Sequence, residues 1–201
     1  MTKRKKIGGL LLLLAIPVVI LIFLEQFGQQ HYTVPTDPSE AEGLSAEVPA
    51  GSLGKKIRWE GSLVDRQGKA VSDQRSGQTI IYPIRNTASD TALAVLEKLT
   101  RVQNVFEQEE RVQILAILNT TSPDTLATLA RRYRNQEGRW LFLADTSQTS
   151  VSASLRPPGT PSSTVILVDQ DQIIRGYYDG MQEDEIDRLV VETRILLYSV
   201  K

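Results

Sequence analysis

The sequence predicts an α/β domain, a mixed sheet flanked by helices, carried behind one membrane-spanning helix. Three observations support this: an uncharged apolar run over residues 7–24, amphipathic stripes alternating with short β-type runs from about residue 63, and a proline-bearing polar stretch between them. Apolar residues make up 41% and charged residues 23% of the 201, a globular composition that excludes disorder for the whole chain.

The apolar run, IGGLLLLLAIPVVILIFL, holds eighteen residues from Ile7 to Leu24 without a charge. As a helix it would be about 27 Å long, close to the roughly 30 Å of a bilayer's hydrocarbon core. A cleaved secretion signal has a shorter apolar region and a small-x-small site. Here Glu25, Gln26 and Phe27 follow directly, so the span is expected to remain as an anchor. Pro17 falls mid-span, where lipid-embedded helices tolerate a kink. Lys3, Arg4, Lys5 and Lys6, in a tail over residues 1–6, hold the N-terminus in the cytoplasm by the positive-inside rule. The expected protein is therefore a single-pass protein of a bacterial inner membrane, with the lipid bilayer as its first partner and its C-terminal domain in the periplasm.

Residues 25–54 carry Pro35, Pro38 and Pro49, scattered acids and no apolar period. They read as a flexible tether with an end-to-end distance of roughly 30 Å. His31 and Tyr32 suit the headgroup level of the membrane. The domain proper is then 55–201, expected to fold without the tether.

Within it, Ile57–Trp59 is extended, and Ser62–Val64 and Lys69–Val71 flank Asp65-Arg66-Gln67-Gly68 as a hairpin. Thr79–Arg85 is an apolar strand in which Pro83 is awkward. Thr87-Ala88-Ser89-Asp90 has capping-box spacing, with aspartate in place of glutamate. It opens a helix whose stripe is Ala92, Val95, Leu96, Leu99, Val102 and Phe106. Val112–Leu118 reads as a buried strand. Ser122-Pro123-Asp124 supplies an N-cap, a first-turn proline and an acid on the dipole for a helix to about Arg134.

Trp140–Leu143 is a further short strand, and the aperiodic stretch from Asp145 to Ser163, with Arg156-Pro157-Pro158-Gly159-Thr160-Pro161, is a loop. Val165–Val168 and Ile173–Tyr178 are strands around Asp169-Gln170-Asp171-Gln172, which lacks the glycine and glutamate of a calcium loop and reads as a hairpin turn. Ile186, Leu189, Val190, Thr193, Leu196 and Leu197 mark the inner face of a closing helix, with Glu183, Asp184 and Glu185 at its positive end. This order places helices on both faces of a mixed sheet, the thioredoxin arrangement.

Composition removes several functions. There is no cysteine, so disulfides, thiol catalysis and thiolate metal sites are excluded. Taking the four tail cations from 23 leaves 19 basic against 24 acidic residues, an acidic balance that argues against nucleic acid. The one histidine, His31, lies in the tether, which excludes histidine-based triads within the domain. Neither enzyme activity nor a cofactor is expected.

The stretch RVQILAILNTTSPDTLATLARRYRNQEGRWLFLAD from Arg111, and VILVDQDQIIRGYYDGMQEDEIDRLVVETRILL near the end, resemble the Sco/SenC family of thioredoxin-fold, copper-handling proteins of cytochrome oxidase assembly. The order of elements agrees over roughly residues 63–197. Gly138-Arg139-Trp140-Leu141-Phe142-Leu143 and Ile174-Arg175-Gly176-Tyr177-Tyr178-Asp179-Gly180 carry the likeness most. The resemblance implies copper or disulfide chemistry at a Cys-x-x-x-Cys opening the first long helix and at a histidine before the penultimate strand. Counted without gaps, those positions fall on Ala88, Ala92 and Pro161, so all three ligands are absent. Copper prefers thiolate, thioether and imidazole, and the chain offers only His31, Met1 and Met181 of these types. Proline makes cis bonds cheap, so Pro161 is also a candidate for the cis-proline that thioredoxin folds often place there.

Asn86, Thr87, Ser89 and Asp90 would rim the lost site and, with Arg156, are the candidate contacts for a partner; plain helix capping is the simpler account of the first four. Two functions remain open. One is a ligand-less accessory factor for a respiratory oxidase acting by contact. The other is an interaction module of another membrane complex, unrelated to copper.

Overall fold

The computed structural model describes residues 16–17, 34, 40, 42–49, 51–57, 63–71, 77–120, 122–133, 139–146 and 151–199. The chain divides into two units, 1–33 and 34–201. In the first, Ile16 and Pro17 are helical, and the rest of the expected span 7–24, with His31 and Tyr32, lies outside the described residues. Among the described residues no helix is long and apolar enough to cross a membrane.

The second unit is built on six strands: β1 (Leu63–Val64), β2 (Gln78–Ile84), β3 (Val112–Leu118), β4 (Trp140–Asp145), β5 (Thr164–Val168) and β6 (Ile174–Asp179), in the order β1-β4-β3-β2-β5-β6. β2, β3 and β4 run parallel, while β1, β5 and β6 join antiparallel. The helices are α1 (Asp90–Val105), α2 (Pro123–Arg132), α3 (Val151–Leu155) and α4 (Glu183–Ser199). The mixed sheet and three long helices form a thioredoxin-like α/β fold.

The hairpin forms as expected, because Asp65 Oδ1 accepts from the amides of Gln67 and Lys69 at 2.9 Å each and Gly68 takes a positive φ of 75°. Pro83 proves compatible with a central strand. The β5 pairing of β2 covers only Thr79–Ile81, so on that side the missing N–H at Pro83 interrupts no rung.

The five apolar stripe residues of α1 and Phe106 at its C-cap are buried, as are Leu126 and Leu129 of α2 and Ile186, Leu189 and Leu197 of α4. They share one core with Ile80, Tyr82, Ile114, Phe142 and Tyr178. The expected placement of long helices on both faces is therefore revised. β2, β3 and β4 lie side by side in chain order, so two right-handed crossovers must put α1 and α2 on the same face. Tyr133, Trp140 and Phe142 stack beneath α2, with centroids 5.5–6.3 Å apart.

The opposite face, with Ile81, Leu115, Ile117, Leu143, Ile166 and Tyr177, is closed by Val48, Leu53, Ile57 and Leu155. Two expectations change here. Residues 42–49 and 51–54, read as free tether, form a 3-10 turn (Gly43–Glu47) and then a segment bonded along β6. Gly54 N donates to Ile174 O at 2.9 Å, Ile174 N to Lys55 O at 3.0 Å and Ile57 N to Gln172 O at 2.8 Å. Burying Val48 and Leu53 stabilises by about 1.5–3 kcal/mol each, enough to hold a segment without regular structure. The loop 145–163 likewise contains one helical turn, α3, with Val151 and Leu155 at i and i+4 toward this core.

Candidate functional site

The end of β2 and the start of β5 lie at the same end of the sheet, because Ile81 pairs with Ile166 in the antiparallel register. This brings the opening of α1 and the loop before β5 to one end. The Tyr82 hydroxyl donates to Ser162 O at 3.4 Å across that junction. Burial raises the pKa of Tyr82 far above the ordinary phenol value, keeping it neutral.

The opening of α1 is capped two residues later than the capping-box spacing suggests. Asn86 Oδ1 accepts from Ala88 N at 3.0 Å, an Asx turn that carries the chain past Thr87. Ser89 is the N-cap: its hydroxyl donates to Asn86 O at 3.1 Å and accepts from Ala92 N at 3.1 Å. Asp90 sits exposed in the first turn. Ala88 is exposed and Ala92 is buried in the core.

The facing loop is tied by its own side chains. Thr160 Oγ1 donates to Pro157 O at 2.8 Å, Thr164 Oγ1 to Pro161 O at 2.7 Å and Ser163 Oγ to Asp179 Oδ1 at 2.5 Å. Pro161 is exposed and its peptide bond is trans, so it is an ordinary loop proline and not the candidate cis-proline. Arg156, grouped above with the rim, is buried instead, and its Nη2 donates to Thr160 O at 3.1 Å and Pro161 O at 2.8 Å. Nε and Nη1 have no partner among the described residues, and burial and the Arg85 charge lower the guanidinium's pKa.

The three counted ligand positions thus reach the same end of the fold carrying two methyl groups and a proline ring. Their immediate polar neighbours are hydroxyls, amides and backbone carbonyls already engaged in caps and turns. That donor set does not fit copper, which selects thiolate, thioether or imidazole. The arrangement offers instead an exposed rim of Arg85, Asn86, Ala88 and Asp90. Sequence reasoning missed Ser45, whose hydroxyl closes onto Tyr177. A lone serine between Leu44 and Ala46 gives no periodic signal.

No family model matches the sequence, and no curated protein does. Solved structures do match in fold. A SCO1/SenC family lipoprotein from Bacillus anthracis is 14% identical, with a TM-score of 0.55 over 67% of this chain and 91% of that one. BsSco, a member of the Sco family of cytochrome c oxidase assembly proteins, is 16% identical, with a TM-score of 0.54 over 72% and 96%. Arabidopsis thaliana ScoI with copper bound is 16% identical, with a TM-score of 0.51 over 66% and 95%. At such identities the likeness establishes the fold.

Proposed function

We propose that this chain is a divergent Sco-like accessory protein, anchored in the membrane with its domain outside the cytoplasm, which helps assemble or steady a respiratory oxidase by contact alone. The observation that carries the proposal is the pairing of a Sco-like fold with Ala88, Ala92 and Pro161 where the resemblance expects copper ligands. With no cysteine in the chain, the same fold cannot exchange disulfides, so a contact role is the one the scaffold retains. The exposed rim at the opening of α1 is the surface it would use, and no catalytic step is assigned.

Mild-detergent extraction of membranes containing the tagged full-length chain tests this, and oxidase subunits should co-purify. The low identities also favour a second reading, an interaction module of another membrane complex, since folds are reused without their function. Recovery of a different membrane complex without oxidase subunits would replace the first reading by the second.

A further inference from the structure

Between the segment that runs along β6 and the loop after α3 lies a cavity of about 550 Å³, within the range of small-molecule sites. Lys55, Lys56 and Arg156 line it, and Ile57, Ile174 and Tyr177 supply apolar wall. Among the described residues no carboxylate lines it. Lys55 and Lys56 are exposed, and neither makes an ion pair among the described residues. Three like charges beside apolar wall give a positive field that no carboxylate lining the cavity offsets among the described residues.

Arg156 sharpens the case. Guanidinium groups this buried are ordinarily matched by a carboxylate, because an uncompensated charge inside a protein is costly. Here one nitrogen is bonded to two carbonyls, two have no partner among the described residues, and the neighbouring charge is the cation Arg85. Nε and Nη1 are closed off from solvent, so an oxyanion in the cavity would supply the missing countercharge through its field, with Lys55 and Lys56 as its direct donors. Tyr177, its pKa pushed up to about 12 by burial, stays neutral and adds no opposing charge.

We propose that this cavity binds a small organic anion, with one phosphate or carboxylate head held by Lys55 and Lys56 in the field of Arg156 and a compact apolar body against Ile57, Ile174 and Tyr177. None of the rim residues of α1 lines the cavity, although Arg85 lies close enough to Arg156 for their charges to interact, and the proposal does not rest on the contact role.

Calorimetric titration of the full-length protein in a neutral detergent with phenyl phosphate, inorganic phosphate and benzyl alcohol tests it. Phenyl phosphate should bind at least about tenfold tighter than either fragment, since only it uses both the charged and the apolar wall. The double variant Lys55→Gln/Lys56→Gln should bind it about fivefold or more weakly with an unchanged Tm, both side chains being exposed. Arg156→Gln should weaken binding further, but the lysine pair decides, because Arg156 also ties its own loop. Short-chain phosphatidylglycerol and phosphatidylcholine are then added as competitors. Displacement by the first alone assigns a lipid headgroup as a source of the anion, and displacement by neither assigns a soluble ester. Equal displacement by both overturns the charge requirement. No saturable binding of phenyl phosphate up to about 5 mM, or equal binding by the lysine variant, overturns the site itself.

Discussion

Ser45 and Tyr177, 132 residues apart, exchange two hydrogen bonds: the Ser45 hydroxyl donates to Tyr177 O at 2.9 Å and accepts from Tyr177 N at 2.8 Å. β6 is an edge strand, and this hydroxyl satisfies an outward-facing backbone pair as a neighbouring strand would. Arg188 adds to the same junction, donating to Tyr177 O at 3.2 Å and to Glu42 O. Residues 42–49 and 51–54 therefore pack as part of the domain.

Ser45→Ala should cost about 1–3 kcal/mol, because it leaves the Tyr177 N–H unpaired while Tyr177 O keeps Arg188, and lower Tm by roughly 3–10 °C. Removing residues 34–54 should cost more, since Val48 and Leu53 leave the core with it. Thermal unfolding of fragments starting at residues 34 and 55 compares the two directly. Equal Tm values would return this segment to the role of a free tether.

Asp169 governs the β5–β6 turn. Its Oδ1 accepts from the amides of Asp171 and Ile173 at 2.9 Å each, and its Oδ2 from Arg175 Nε at 2.6 Å. Asp169→Ala should cost about 2–3 kcal/mol, while Asp169→Asn, which keeps an acceptor for the turn, should cost less. Denaturant midpoints measured on both variants check the order, and the reverse ranking would show that the ion pair with Arg175 matters more than the turn.

Glu192 introduces a pH dependence. Burial pushes its carboxyl above the ordinary range, outweighing the hydrogen bond from Tyr178 and the charge of Arg188. A folded-state pKa above the unfolded one means that its stabilising contribution is full below the unfolded value. That contribution is lost as pH rises through the folded value. Glu192→Gln, which still offers Tyr178 an acceptor, should thus gain on the parent chain as pH rises from about 4 to 7. Parallel Tm profiles for the two proteins would show that burial of this carboxyl has no net effect.

The rim of α1 separates capping from contact. Ser89→Ala should cost about 1 kcal/mol through loss of the N-cap, whereas Asp90→Lys, at an exposed position, should leave Tm within a few degrees. If the rim is the interface, Asp90→Lys nonetheless weakens co-purification of the partner complex. Undiminished capture would move the interface elsewhere on the domain.

Apolar periodicity and local turn chemistry make much of the fold legible in the sequence. The stripe from Ala92 to Phe106, the cap at Ser122 and the turns at Asp65 and Asp169 all stand where local chemistry puts them. What escapes is short or non-local. Val48 and Leu53 have no periodic neighbours and owe their burial to the far side of the sheet. Val151 and Leu155 make one turn, too brief for a stripe. Thr87 loses the cap to Ser89 because the Asn86 side chain first closes its own turn. The rim is legible as chain positions, but the inward turn of Arg156 depends on carbonyls its own loop presents.

Copper binding by the full-length protein, measured by competition with a calibrated Cu(I) chelator, tests the contact role most directly. The triple variant Ala88→Cys, Ala92→Cys and Pro161→His serves as the comparison. The unmodified chain should take no copper from the chelator at free concentrations below about 1 µM, while the variant gains affinity if the scaffold still brings the three positions together. Submicromolar binding by the unmodified chain would contradict a role by contact alone.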